Sequence, residues 1–173
     1  ATALSYNVGG LVGYNVGGSI ESSASNALVT GPQFAGGLVG WSDADGVISN
    51  SMAQGNVNGD YAVGGLAGKN WGEISNSIAN GTVTGGTQIG GLVGINEGAN
   101  SSITNSIATG MVTGGGEIGG LIGYSLLSEI TNSIAVGDVN GINSIGGLIG
   151  LSDSDSIIRT YAAGDVIGSG NQI

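Results

Sequence analysis

Seven of the twelve carboxylates of this chain, Asp43, Asp45, Glu73, Glu97, Glu129, Asp153 and Asp155, fall in six short segments, and so do four of its eight aromatic residues, Tyr14, Trp41, Trp71 and Tyr124. Rings beside carboxylates suit carbohydrate. A ring stacks on the apolar face of a sugar, and a carboxylate accepts its hydroxyl hydrogens. The pairs Asp43-x-Asp45-Gly46 and Asp153-x-Asp155 suggest a second chemistry, Ca2+ binding, because hard cations take clustered carboxylate oxygens. Neither pair continues into a full EF-hand loop. The plainer reading of the same segments is a solvated, variable loop edge, with the rings lying over the chain beneath.

Much other chemistry is excluded by composition. The 173 residues hold no His and no Cys, so zinc sites of the His/Cys type, disulfides and His-activated nucleophiles are absent. Twelve acids against Lys69 and Arg159 leave a net charge of −10, which repels nucleic acid and anionic membranes. No run approaches the ~18 apolar residues of a membrane helix. With 38 Gly the chain resembles a low-complexity polymer, but 40% of residues are hydrophobic, enough for a core.

Those hydrophobic residues recur. Gly-Gly-Leu-(Val/Ala/Ile)-Gly begins at Gly9, Gly36, Gly64, Gly90, Gly119 and Gly146, with spacings of 27, 28, 26, 29 and 27. A second block, I-x-N-S-x-A-x-G-x-V in its fullest form, begins at Ile20, Ile48, Ile74, Ile103, Ile130 and Ile157 and ends nine residues later at a Val. The next Gly-Gly begins seven residues after that Val in the first five repeats. All other variation in length lies in segments 14–19, 41–47, 69–73, 95–102, 124–129 and 151–156, the same six that hold the acids and rings. Each repeat therefore has a fixed frame and one adjustable edge, as repeat proteins do when insertions map to one face.

No window shows the 3.6-residue period of a helix. The pattern predicts an all-β fold, a parallel β-solenoid of about six coils with three short strands per coil: one through Ile89–Val93, one through Ile74–Ile78, one around Val83, with their equivalents. Gly and Asn-Gly pairs, Asn58-Gly59, Asn80-Gly81 and Asn140-Gly141, are expected at the corners. Stacking places Leu38, Leu66, Leu92, Leu121 and Leu148 in one ladder, and right-handed winding is the default. Asn50, Asn76, Asn105 and Asn132 form a column of stackable amides, expected to fray at Ser22 and Arg159. Ala53, Ala79, Ala108, Ala135 and Ala162 suggest a tight inner corner, and the Gly pairs permit positive φ or close backbone approach. The whole chain, 1–173, reads as one repeat domain cut from a larger protein.

The strings GGLVG at 36–40 and ISNSIANGTV at 74–83 resemble the GLUG repeat of bacterial surface proteins, and the likeness covers essentially the whole chain. Proteins with such repeats include large secreted adhesins similar to filamentous haemagglutinins. They also include IgA-cleaving metallopeptidases, which carry the repeat outside the catalytic domain. The resemblance implies an extracellular or cell-surface setting and a scaffold or binding role, and it carries over no catalytic residue. The H-E-x-x-H motif of the peptidases cannot exist in a chain without His.

Three functions follow as expectations. The first is a structural and adhesive module: a stalk, or a rod presenting its loop edge to a host or environmental glycan or surface protein. Its ligand residues would be Tyr14, Trp41, Trp71 and Tyr124. Exposed coil ends would favour end-to-end self-association. The second is a carbohydrate-binding or Ca2+-dependent glycan-active module, with the metal on Asp43, Asp45, Asp153 and Asp155. The third is an ice-binding solenoid, from the column Thr30, Asn58, Thr84, Thr113 and Asn140, although the column beside it is mixed. Paired carboxylates can cleave a glycosidic bond. Here only Asp138 and Asp165 share a position on adjacent coils of the third strand, as a solvated pair, so no catalysis is expected.

Overall fold

The computed structural model describes residues 6–172, so the expectations touching residues 1–5 and 173 lie outside it. Every element is a short strand, and every pairing joins one coil to the next in parallel. The chain is a β-solenoid of about six coils. Its ladders follow the repeat: Ile48, Ile74, Ile103 and Ile130 pair in register, as do Val57, Val83, Val112 and Val139. The Leu positions are linked by N–H to carbonyl bonds of 2.8–2.9 Å from Leu38 through Leu148.

A coil contributes to four sheets. In the third coil the strands are Val57–Gly64, Ala67–Asn70, Glu73–Ser75 and Ile78–Ala79. The expected strands through Ile89–Val93 and Ile74–Ile78 are each bent in the middle. Three sheets have six strands. The fourth has nine, because it gains a seventh level from Val166–Gln172 and because Gly85-Gly86 and Gly114-Gly115 interrupt the long strand in two coils. Asn58-Gly59 and Asn140-Gly141 lie inside long strands and not at corners; Asn80-Gly81 does follow a strand end.

The Asn column marks the bend within the second block. Ser22, Asn50, Asn76, Asn105, Asn132 and Arg159 all have φ between 48° and 51°. Asn tolerates this left-handed region better than most residues, which is a backbone reason for its recurrence. The amide ladder itself is partial, with Asn105 Nδ2 donating to Asn76 Oδ1 at 3.3 Å. Arg159 does not end the column in disorder: its Nε donates to Asn132 Oδ1 at 2.7 Å.

The following Ser supplies a second regularity. Backbone bonds join the coils on either side of this Ser, and its own N–H is met by the hydroxyl of the next coil's Ser. Ser51 N–H donates to Ser77 Oγ at 3.2 Å, Ser77 N–H to Ser106 Oγ at 3.2 Å, and Ser106 N–H to Ser133 Oγ at 3.1 Å. Each hydroxyl in turn donates to the carbonyl two residues before it. Buried donors and acceptors are thereby satisfied at a turn.

The glycines of the first block serve close approach, and none of them has positive φ. A Cβ on Gly65 would stand 2.9 Å from the Ala79 Cβ and collide with the Gly91 carbonyl. A Cβ on Gly94 would stand 2.6 Å from the backbone of Ala62 and Val63 in the preceding coil. The same collisions recur coil by coil, so the Gly column and the buried Ala column together define a waist. Apolar side chains form two clusters. One holds the Leu, Ile and Ala ladders with Val39, Ala67, Val93 and Ile122; the other holds Val57, Val63, Val83, Ile89, Val112 and Ile118. Burial of each Leu or Ile is worth about 1.5–3 kcal/mol, so four consecutive coils at 0% exposure anchor the frame from which the edge projects.

Candidate functional site

The variable edge begins where the second sheet ends. There the coil turns on a buried polar column, Asn15, Ser42, Asn70, Asn96 and Ser125. Asn70 Nδ2 donates to the Gly72 carbonyl and to Asn96 Oδ1, both at 2.8 Å, and Asn15 Nδ2 donates to the Gly18 carbonyl at 2.8 Å. These amides pin the start of the edge segments while the rest of each segment varies.

One outward column of that sheet reads Tyr14, Trp41, Lys69, Ile95, Tyr124 and Leu151 in strict register. Three of the four expected ligand residues come together at its N-terminal half. Tyr14 and Trp41 have ring centroids 4.8 Å apart, and Trp71 meets Trp41 edge-on at 4.9 Å. Phe34 joins at 5.8 Å from Trp41 and 6.1 Å from Tyr61. Tyr124 stands apart, separated from Lys69 in the column by Ile95.

Lys69 organises the cluster. Its Nζ lies 4.6 Å from the Trp71 ring, 5.4 Å from Trp41 and 5.7 Å from Phe34, and 2.7 Å from Glu97 Oε1. The same Glu97 oxygen accepts the Trp71 indole N–H at 2.7 Å. A partly buried ammonium framed by three rings and one carboxylate is a strong local clamp. Phe34, Tyr61 and Lys69 were not among the expected site residues. Lys69 had a signal, being one of two cations and the first residue of its edge segment.

The acids remain dispersed. Asp43 Oδ2 accepts the Tyr14 hydroxyl at 3.4 Å. Asp155 Oδ1 accepts the Ser128 N–H at 2.9 Å, and Asp153 Oδ1 accepts the Ser154 hydroxyl at 2.8 Å. Among the described residues no three Asp or Glu side chains gather as cation ligands. Asp138, the expected solvated partner of Asp165, accepts the Asp165 backbone N–H at 2.9 Å. Desolvation raises the Tyr14 phenol, with Asp43 adding to it; desolvation also raises Tyr124, followed by Asp153 and Glu97.

Length variation has a visible product. Between the paired residues Asn96 and Ser102 the chain inserts five residues, against two after Asn70 and three after Ser125. The longer segment turns back at Gly98, whose carbonyl accepts the N–H and hydroxyl of Ser101 at 2.8 Å. It walls a cleft of about 410 Å³ lined chiefly by Trp71, Glu97, Ala99, Asn100, Leu126 and Leu127. On another face the Thr30, Asn58 and Thr84 column borders a groove of about 620 Å³ floored by glycine. The same column ends on Ile167.

Comparison with known proteins agrees with the repeat. The family model described as the GLUG motif matches residues 5–30, 35–58, 59–84 and 85–113, more than half of the chain. The last two coils lie outside those matches and keep the same ladders. An immunoglobulin A1 protease of Streptococcus pneumoniae is 39% identical over 80 residues, 40% of this chain and 4% of that protein. One of Streptococcus sanguinis is 39% identical over 74 residues, again 4% of its length. The chain thus spans a small part of the curated relatives it matches. No solved structure matches it.

Proposed function

The chain belongs to the GLUG-motif family, and on that premise we propose that it is a structural and adhesive repeat module of a secreted or cell-surface bacterial protein. Stacked coils supply a stiff rod, and the variable edge meets a ligand. The observation that carries this reading is the division of labour within each coil. The ladders keep their register apart from one shift between Gly141 and Asn143, while differences in repeat length, seven of the twelve acids and the Tyr14–Trp41–Trp71 cluster gather at one edge.

A solenoid suits such a task. Its stability is a sum of neighbouring terms, and its reach grows by adding coils. In this reading the module performs no reaction. The relatives are immunoglobulin A1 proteases by name, but the shared stretch is 4% of their length. Its role beside a catalytic region would be to hold that region away from the surface or to dock it.

The test is a screen of the chain against glycans and host-matrix proteins, with Ca2+ and with chelator, alongside Trp41→Ala and Trp71→Ala. Specific binding that both variants lose supports the edge as an adhesive site, and dependence on Ca2+ brings in Asp43, Asp45, Asp153 and Asp155. Absence of binding from a folded sample leaves a stalk.

A further inference from the structure

The cleft beside Trp71 has a composition that narrows what it can hold. Its walls are mainly apolar: the Trp71 ring, Ala44 and Ala99, and Leu126 with Leu127, which is 53% exposed. Its single carboxylate, Glu97, is charge-matched by Lys69 at 2.7 Å. Its remaining polar side chain is the amide of Asn100. A volume of about 410 Å³ lies at the small end of the range for ligand pockets, which starts near 300 Å³.

Each feature excludes a class of ligand. A neutralised carboxylate gives a cationic group no net attraction, and the chain's net charge of −10 opposes an anionic one. The ring and the Leu side chains want an apolar face and a methyl group. The amide and the carboxylate want hydroxyl or amide partners. A neutral sugar bearing an acetamido group combines these demands. Its ring face lies on Trp71, its acetyl methyl sits against Leu126 and Leu127, and its amide and hydroxyls meet Asn100 and Glu97.

We propose that the cleft formed by the 95–102 segment is a binding site for a neutral N-acetylhexosamine residue. This inference rests on the edge-binding reading above and assigns it a ligand class. It places specificity in the fourth coil, where the edge segment is longest, and not in the Tyr14–Trp41 stack, which does not line the cleft.

The experiment uses the whole chain and saturation-transfer NMR on methyl glycosides of N-acetylglucosamine, N-acetylgalactosamine, the matching unsubstituted hexoses and sialic acid. The acetyl methyl of at least one N-acetylhexosamine should receive saturation, with affinity at least tenfold above that of its hydroxyl analogue. Leu127→Asp and Ala99→Asp, both at exposed positions, should each lower that affinity at least tenfold with unchanged circular dichroism, and Thr84→Ala on the other face should not. Equal binding of hexose and N-acetylhexosamine overturns the ligand class and leaves the edge reading standing. N-acetylhexosamine binding untouched by both cleft variants overturns the site. Preference for sialic acid overturns the charge argument. If none of these sugars binds while the broader screen finds an edge ligand, this inference fails alone. If neither finds binding, both fail.

Discussion

The hydroxyl of Ser77 accepts the backbone N–H of Ser51 at 3.2 Å and donates to the carbonyl of Ser75 at 2.8 Å, so one side chain joins two coils at the corner between Ser75 and Ile78. Removing it leaves the buried Ser51 N–H without its partner, while the Ser75 carbonyl keeps the Asn50 N–H at 3.1 Å. Ser77→Ala should therefore cost about 1–3 kcal/mol, and Ser106→Ala the same, read as a lowered urea midpoint with unchanged slope. Cost below the error of that measurement would mean the corner relaxes to pair by itself.

The glycine waist gives a sharper contrast. Gly91→Ala drives a methyl into the Gly120 carbonyl and to 3.0 Å from the Ala108 Cβ, whereas Gly116→Ala meets only Thr87 Cγ2 at 3.6 Å. The first should destabilise by several kcal/mol or prevent folding, and the second should change stability by less than about 1 kcal/mol. Thermal melts of the two variants side by side decide it. Equal effects would refute the close-approach account of the motif.

Lys69 and Glu97 share a site in which their side chains are 13% and 27% exposed. Glu97→Gln leaves the ammonium without its counter-charge and weakens the Trp71 indole bond. A loss of about 1–2 kcal/mol is expected after allowing for solvent screening. Tryptophan emission should shift at the same time, because Trp71 and Trp41 both frame the ammonium. An unchanged emission spectrum would separate Lys69 from the rings in solution.

A second left-handed column runs through Phe34, Ala62, Gln88, Glu117 and Ser144, with φ between 45° and 58°. Unlike the Asn column it lacks residues suited to that region. Glu117→Asn should raise stability by about 0.5–1 kcal/mol, measured as an increased urea midpoint. A fall would show that Glu117 has a compensating role that its backbone does not reveal.

Alkaline pH probes the phenols. Desolvation raises Tyr61 above the ordinary 10.0, with Glu117 and Glu97 adding to it, and Tyr14 and Tyr124 move the same way. The folded chain holds these protons more tightly than the unfolded chain. Their contribution is present in full below pH 10 and is lost as pH climbs through the raised values. Tyr61→Phe should flatten that decline in urea midpoints collected above about pH 10.

The repeat frame was legible because two blocks at fixed separation admit little besides stacked coils, and the edge because all remaining length variation gathers there. The bends were not. A strand and a strand with one left-handed residue have the same hydrophobic pattern, so Asn76 read as a ladder amide when its backbone mattered as much. Phe34 and Tyr61 escaped notice for a related reason. They sit in the invariant frame by sequence, and only the left-handed turn at Phe34 and the stacking of coils bring them beside Trp41 and Lys69. Tyr124 was grouped with the other rings by segment, and Ile95 in the intervening coil keeps it apart.

Because the strands run crosswise and their hydrogen bonds point from coil to coil, a pull applied along the rod loads those bonds in line and not in shear. The outermost coil should detach first, and its neighbour next. Each event would release roughly 27 residues, about 90 Å of slack at ~3.3 Å per residue. Force spectroscopy would register a staircase with that spacing, and one abrupt rupture would contradict it. Tethered between a cell and whatever it grips, such a rod yields by instalments, lengthening under load while its remaining turns stay wound.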